Sequence, residues 1–166
     1  MPNWCQNEVT VTADTKGTLQ NFINFVKSSD VEFSFQSIMP MPSELTGTCS
    51  PVQICTVEEY HDWIRKHQPT YDFEGRPITK QMSVRFKKQY GTDNWYDWCN
   101  NNWGTKWDTA SVYVDKFADT TIHYSFDTAW LPPVGVYSAL VKLFPDLHFS
   151  WFYREEGMAI AGYLPN

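Results

Sequence analysis

Residues 5–12 alternate strictly, with Cys5, Asn7, Val9 and Val11 on one side of an extended chain and Gln6, Glu8, Thr10 and Thr12 on the other. That is the period of a strand with one buried face. After Asp14 and Gly17 the period lengthens: Leu19, Phe22, Ile23 and Val26 recur at helical spacing, predicting an amphipathic helix that ends near Ser28 or Ser29. Phe33 to Ile38 reads as a short edge strand, closed by Met39-Pro40-Met41-Pro42, because proline has no amide donor and restricts the residue before it. Thr56-Val57-Glu58-Glu59 reads as a capping box that opens a helix with Val57, Tyr60, Trp63 and Ile64 along one face. Pro77 suits the start of another helix, carrying Ile78, Met82, Phe86, Gln89 and Tyr90 and stopped by Gly91. Asn94 then caps a helix with Trp95, Trp98, Cys99 and Asn102 on one side, and the run from Asn102 to Asp108 breaks it into a tight aromatic loop.

Beyond that loop the alternation returns. Ala110 to Lys116 and Thr120 to Thr128 form a predicted hairpin, with Val112, Val114, Ile122, Tyr124 and Phe126 on one face. Its other face carries Tyr113, Asp115, His123, Ser125 and Asp127. Pro132-Pro133 opens a helix with Val134, Tyr137, Leu140, Val141 and Phe144 at helical spacing. Leu147 to Tyr153 is an apolar strand, Glu155-Glu156-Gly157 a turn, and Met158 to Tyr163 a last strand whose open edge could pair with another chain. The expected class is therefore α+β: a ferredoxin-like β-α-β-β-α-β antiparallel sheet with a large insertion after the first helix and an extra C-terminal strand. We expect one domain over residues 1–166, within which residues 39–108 are a mainly helical and loop insertion.

Composition narrows the function classes. Apolar residues at 42% against 19% charged argue for a packed chain, and eight tryptophans exceed ordinary core needs, so some should lie at a contact surface. A net charge of -6 argues against a phosphate-binding footprint and points to a protein or small-molecule partner, with nucleic acid kept as an alternative. No apolar run suffices for a membrane span, and Met1-Pro2-Asn3-Trp4-Cys5 lacks the features of a secretory signal, so a cytoplasmic setting is expected. Cys5, Cys49, Cys55 and Cys99 form no Cys-x-x-Cys pair and read as free thiols; Cys49 and Cys55 with His61 are a weak metal alternative. The reading includes no cofactor and no metal.

Several blocks carry a resemblance: Met1-Pro2-Asn3-Trp4-Cys5-Gln6-Asn7, Ile38-Met39-Pro40-Met41-Pro42 through Glu44-Leu45, and Asn102-Trp103-Gly104-Thr105-Lys106-Trp107-Asp108. Phe126-Asp127-Thr128-Ala129-Trp130-Leu131-Pro132-Pro133 and Tyr153-Arg154-Glu155-Glu156-Gly157 continue it. The chain resembles a YubB-type ferredoxin-like family of phage and plasmid accessory proteins. The resemblance implies an accessory protein of a mobile element acting in a bacterial cytoplasm, and supplies no catalytic set. Thr46 to Asp93 carries no matching block.

The candidate partner-binding set is Trp95, Trp98, Asn101, Trp103, Trp107, Asp108 and Trp130, because indoles offer large rigid contact area with one donor each. For Trp103, Trp107 and Trp130 the preferred reading is loop pinning, with Gly104 permitting the turn and Asn102 and Asp108 bonding backbone amides. Trp95 and Trp98 are the preferred contact residues. The expected function is a non-enzymatic accessory protein that binds and modulates a host protein, such as an inhibitor of a bacterial defence system of anti-CRISPR or anti-restriction type whose acidic surface imitates nucleic acid. One alternative is a nucleic-acid binder stacking bases on Tyr113 and Phe152. A second is an enzyme with a site near Asp127, His123 and Glu155.

Overall fold

The computed structural model describes residues 3–67 and 75–165, so Met1-Pro2 of the first block lies outside it. In chain order the elements are β1 (Trp4–Ala13), α1 (Lys16–Val26), α2 (Phe35–Ile38), a 3-10 turn (Ser43–Leu45), β2 (Ile54–Cys55), α3 (Val57–His67) and β3 (Ile78–Thr79). They continue with α4 (Lys80–Tyr90), α5 (Trp95–Asn102), β4 (Ala110–Ala118), β5 (Thr121–Ala129), α6 (Val134–Leu143), β6 (Leu147–Glu155) and β7 (Ile160–Leu164). The chain divides into two compact units, Met1–Pro40 with Asn102–Asn166, and Met41–Asn101.

The first unit is built on a five-stranded sheet in the order β4-β5-β1-β6-β7. Its β1-α1-β4-β5-α6-β6 succession is the ferredoxin-like order, with β1 antiparallel to both β5 and β6 and with β7 added outside β6. Alternation decides the faces. Cys5, Asn7, Val9, Val11 and Ala13 of β1 are buried and meet Ile122, Tyr124, Phe126 and Phe149, Trp151, Tyr153 on the same face. Leu19, Phe22 and Val26 of α1 pack there, the Phe22 ring standing 5.3 Å from Phe144, 5.7 Å from Phe149 and 6.4 Å from Tyr124. Asn7 is polar yet buried. Its Nδ2 donates to the Cys5 carbonyl and the Thr128 hydroxyl, both at 2.9 Å, and its Oδ1 accepts from the Trp151 indole at 3.1 Å.

Phe33 to Ile38 departs from the expected edge strand. Phe33 and Phe35 are completely buried instead: the Phe33 ring lies 5.0 Å from Tyr124, 5.1 Å from Phe126 and 6.1 Å from Trp151, and Phe35–Ile38 coils into one helical turn. Period-two spacing in so short a run cannot separate a strand from an aromatic plug. In α6 the face is also displaced. Val136 and Leu140 are buried while Val134 and Val141 are 44% and 40% exposed, although Tyr137 still reaches Trp151 at 5.9 Å between ring centres. β6 alternates rather than being buried on both sides, since Ser150 and Arg154 face outward.

The second unit holds the short parallel pair β2 and β3 with α3, α4 and α5. The capping box forms as expected: Glu59 N–H donates to Thr56 Oγ1 at 3.2 Å and Thr56 N–H to the Glu59 carboxylate at 2.8 Å. α4 begins at Lys80, not at Pro77, because Ile78 and Thr79 pair with Ile54 and Cys55, and the Thr79 hydroxyl caps Met82 N–H at 3.2 Å. Gly91 ends that helix at φ +80°, its N–H donating to the Lys87 carbonyl at 3.1 Å. Asn94 caps α5, accepting from Asp97 N–H at 2.9 Å.

Candidate binding face

With α1 and α6 on one side of the sheet, the outward residues of the strands make the other. On β1 these are Trp4, Gln6, Glu8, Thr10 and Thr12. Across the sheet Gln6 sits between Asp127 and Arg154, Glu8 between Ser125 and Phe152, and Thr10 between His123 and Ser150. β4 adds Tyr113 and Asp115 opposite Ser125 and His123, and β7 adds Tyr163 opposite Phe152. Every one of these side chains is exposed or half-buried. Tyr113, Phe117 and Tyr163 are 66%, 63% and 62% exposed, and Phe152 and Tyr163 lie 5.2 Å apart. A half-wet sheet face normally carries short polar residues, so this many aromatics on it is a departure.

The face has its own electrostatics. His123 Nε2–H donates to Glu8 Oε2 at 2.6 Å, its Nδ1 is 3.2 Å from the Thr10 hydroxyl, and Phe117 lies 5.7 Å away. The carboxylate that His123 meets is thus Glu8, not Asp127 of the enzyme alternative. Burial raises the Asp127 carboxyl above its usual value, with a hydrogen bond from Ser111 acting the other way. Arg154 Nε donates to Gln6 Oε1 at 2.6 Å. Glu155 belongs to the opposite face and is 2% exposed; its carboxylate accepts from Gly157 N–H at 2.9 Å and from Met158 N–H, closing the β6–β7 turn. The predicted turn thus holds a buried carboxylate cap, while Glu156 and Gly157 beside it are exposed. The structure does not bring Asp127, His123 and Glu155 together, since each is held in a separate network.

At one end the face runs into a tryptophan corner. Trp4 and Trp107 are 42% and 37% exposed with ring centres 6.3 Å apart, and Lys106 Nζ stands 3.9 Å over the Trp107 ring. Trp130 is 42% exposed at φ +72°, its N–H donating to the Asn3 carbonyl at 3.0 Å. Beside them a cleft of about 370 Å³ is lined by Asn3, Trp4, Gln6, Arg154, Glu155, Glu156 and Gly157. A Cβ on Gly157 would lie 2.1 Å from Asn3 Nδ2, so a larger residue there would make the Asn3 side chain swing aside. Blocks far apart in the chain thus meet at this corner.

The sequence-derived contact residues divide differently from expectation. Trp98 is 7% exposed and Trp95 half-buried, its backbone N–H donating to Thr48 Oγ1 at 3.0 Å; Asn101 is exposed. The preferred contact reading of Trp98 is thereby corrected: its indole belongs to the interior. Trp103 is buried as loop pinning requires, its indole donating to the Met39 carbonyl at 2.8 Å and its ring 5.7 Å from Phe35. Gly104 takes φ +91°, where a Cβ would come 3.0 Å from Val134 N. Asp108 accepts from Ser34 Oγ, Phe35 N–H and Gln36 N–H at 2.8, 2.6 and 3.2 Å, and from Thr109 N–H at 2.8 Å. Trp107 and Trp130 alone of the seven join the exposed corner. Trp4, Glu8, Phe117 and Tyr163 were missed, yet the alternation of β1 already placed Glu8 outward and, one step back, Trp4 with it.

Burial pushes the Cys5 thiol up to about 11, and Cys49 and Cys55 are raised by burial as well. Among the described residues no three His, Cys, Asp or Glu side chains are grouped to hold a metal. No helix of the described residues is long and apolar enough to cross a membrane.

No curated protein matches the chain. Among solved structures it is similar to the crystal structure of protein Api92 from Yersinia pseudotuberculosis, with 11% identity and a TM-score of 0.55 over 98% of this chain and 93% of that one. At that identity the likeness is one of fold. Residues 102–165, from the aromatic loop through β7, match the family model described as the ferredoxin-like domain in Api92-like protein. The chain is accordingly similar over residues 102–165 to the ferredoxin-like domain of Api92-like proteins, and its β1 and α1 complete the ferredoxin-like order.

Proposed function

We propose that the chain is a non-enzymatic accessory protein, of the phage- and plasmid-borne kind its sequence blocks resemble, that binds and modulates a host protein through the outward face of its sheet. The observation that carries this reading is the exposure of Tyr113, Phe117 and Tyr163, 66%, 63% and 62%, on a face that also presents Glu8 and Asp115. Aromatic side chains supply rigid contact area, and carboxylates beside them select a Lys- and Arg-bearing surface by charge and by cation–π contact. A basic surface of that kind is what a nucleic-acid enzyme of a defence system offers. Carboxylates on this face would then occupy places such an enzyme reserves for phosphates. The tryptophan corner extends the same surface. Glu8 and Asp115 oppose the alternative of bases stacked on Tyr113 and Phe152, because they would repel the phosphates between the bases.

The test is affinity capture from nuclease-treated host lysate by the tagged chain, compared with a Tyr113→Ala/Phe117→Ala variant and a Glu8→Gln/Asp115→Asn variant. The expected result is one protein retained by the parent, released as ionic strength rises, and lost from both variants. Retention of the same protein by both variants sinks the assignment to this face. Capture of nucleic acid alone before nuclease treatment sinks the protein-partner reading.

A further inference from the structure

The five-stranded sheet ends in two edges, and they differ. β4 is blunted: its register with β5 shifts between Ala110 and Tyr113 and again between Asp115 and Ala118, Ser111 takes φ +53°, and Asp115 and Lys116 set charges along it. Bulges and charges of this kind are what prevent an edge from recruiting another strand. β7 has neither. It pairs with β6 in unbroken register from Trp151↔Leu164 to Glu155↔Ile160, and Ile160-Ala161-Gly162-Tyr163-Leu164 contains no charged residue. Among the described residues no strand pairs with its outer side.

We infer that β7 is a strand-addition edge whose occupant is a second copy of this chain, paired antiparallel about a twofold axis to join two sheets into one. Two features select a second copy. A chain of net charge -6 repels itself, so a strand that adds no like charge beside the twofold axis suits self-pairing. β7 is such a strand. It is also self-complementary when centred on Gly162: Tyr163 of one copy stands opposite Ala161 of the other, large against small on the outward face, and Ile160 stands opposite Leu164 on the core face. Tyr163, 62% exposed and 5.2 Å from Phe152, would then continue the aromatic surface across the axis. Five residues a side make a small interface, so the association is weak and depends on concentration. The inference stands apart from the proposed host partner, because self-association is measured on the purified chain alone.

The experiment is sedimentation equilibrium of the parent from low to high micromolar concentration, with Ala161→Glu/Tyr163→Glu and Ala161→Lys/Tyr163→Lys variants. Both positions are exposed, so the variants should fold, which circular dichroism checks. The expected result is a parent mass rising toward twice the monomer, monomers for each variant alone, and a dimer on mixing the two. Amide exchange of the unmodified chain gives a second readout: Ile160–Leu164 should slow with concentration while β4 does not. A parent that stays monomeric at the highest concentration, or charged variants that remain dimeric, overturns the inference. So does concentration-dependent protection at β4 in place of β7.

Discussion

Replacing Asp108 with alanine separates a surface contact from an internal cap. The carboxylate takes hydrogen bonds from Ser34 Oγ at 2.8 Å, Phe35 N–H at 2.6 Å and Gln36 N–H at 3.2 Å, and so supplies from 74 residues away the cap that Ser34 does not give to α2. Three donors at a helix start would be stranded. Loss of a cap costs roughly 0.5–2 kcal/mol, and hydrogen bonds to a charged acceptor are worth roughly 1.5–3 kcal/mol each without being additive. Because α2 carries the fully buried Phe35 into the aromatic core, part of that packing should loosen too. The sum is about 3 kcal/mol. For a chain of this length each kcal/mol moves Tm by roughly 2–4 °C, so Asp108→Ala should melt about 6–12 °C below the parent. Asp108→Asn keeps an acceptor and should lose about a third as much. The assay is thermal unfolding followed by near-ultraviolet circular dichroism, which reports the aromatic core. An Asp108→Ala protein melting within about 2 °C of the parent, with partner capture abolished, would refute the structural role and restore Asp108 as a contact residue.

Two glycines with different surroundings should respond differently to alanine. A Cβ on Gly135 would lie 1.7 Å from the Asn102 carbonyl oxygen, a backbone atom that cannot swing aside, whereas one on Gly91 meets nothing within 4 Å and costs only the conformational strain of φ +80°. Urea unfolding should show Gly135→Ala destabilised by about 3 kcal/mol or more and Gly91→Ala by about 1 kcal/mol; equal losses would contradict the close approach. Asp93 offers a pH test. Burial alone would raise its carboxyl, but hydrogen bonds from Ser83 and Lys87 outweigh that and hold it below the ordinary range. A depressed folded value means stability that is present above the unfolded carboxyl value, about 4, and lost as pH falls through the folded one. Asp93→Asn should therefore be less stable at neutral pH and show a shallower acid loss in urea titrations. An unchanged acid slope would count against the pairing.

The elements that repeat over many residues were legible in the sequence. β1, α1, the β4–β5 hairpin and its two faces, and the caps at Thr56 and Asn94 each announce themselves locally, because side-chain direction follows backbone period and a cap needs only neighbours. Tertiary packing decided what local period left open. Phe33 and Phe35 alternate as a strand would, but the space among Tyr124, Phe126 and Trp151 drew both rings inward. Ile78 and Thr79 look helical, but pairing with Ile54 and Cys55 took them from α4. The tryptophans show the limit most clearly. Indoles suit a core and a contact surface equally well, so outside the alternation of β1, which places Trp4, nothing in the chain told Trp98 and Trp103, which are buried, from Trp107 and Trp130, which are exposed. Trp103 is covered by Met39 and Phe35 from a distant part of the chain, and His123 meets Glu8 across 115 positions. Sequence by itself determined the periods and hence the strands, helices and outward positions; only the folded sheet, by bringing distant strands into register, decided which outward positions share a face.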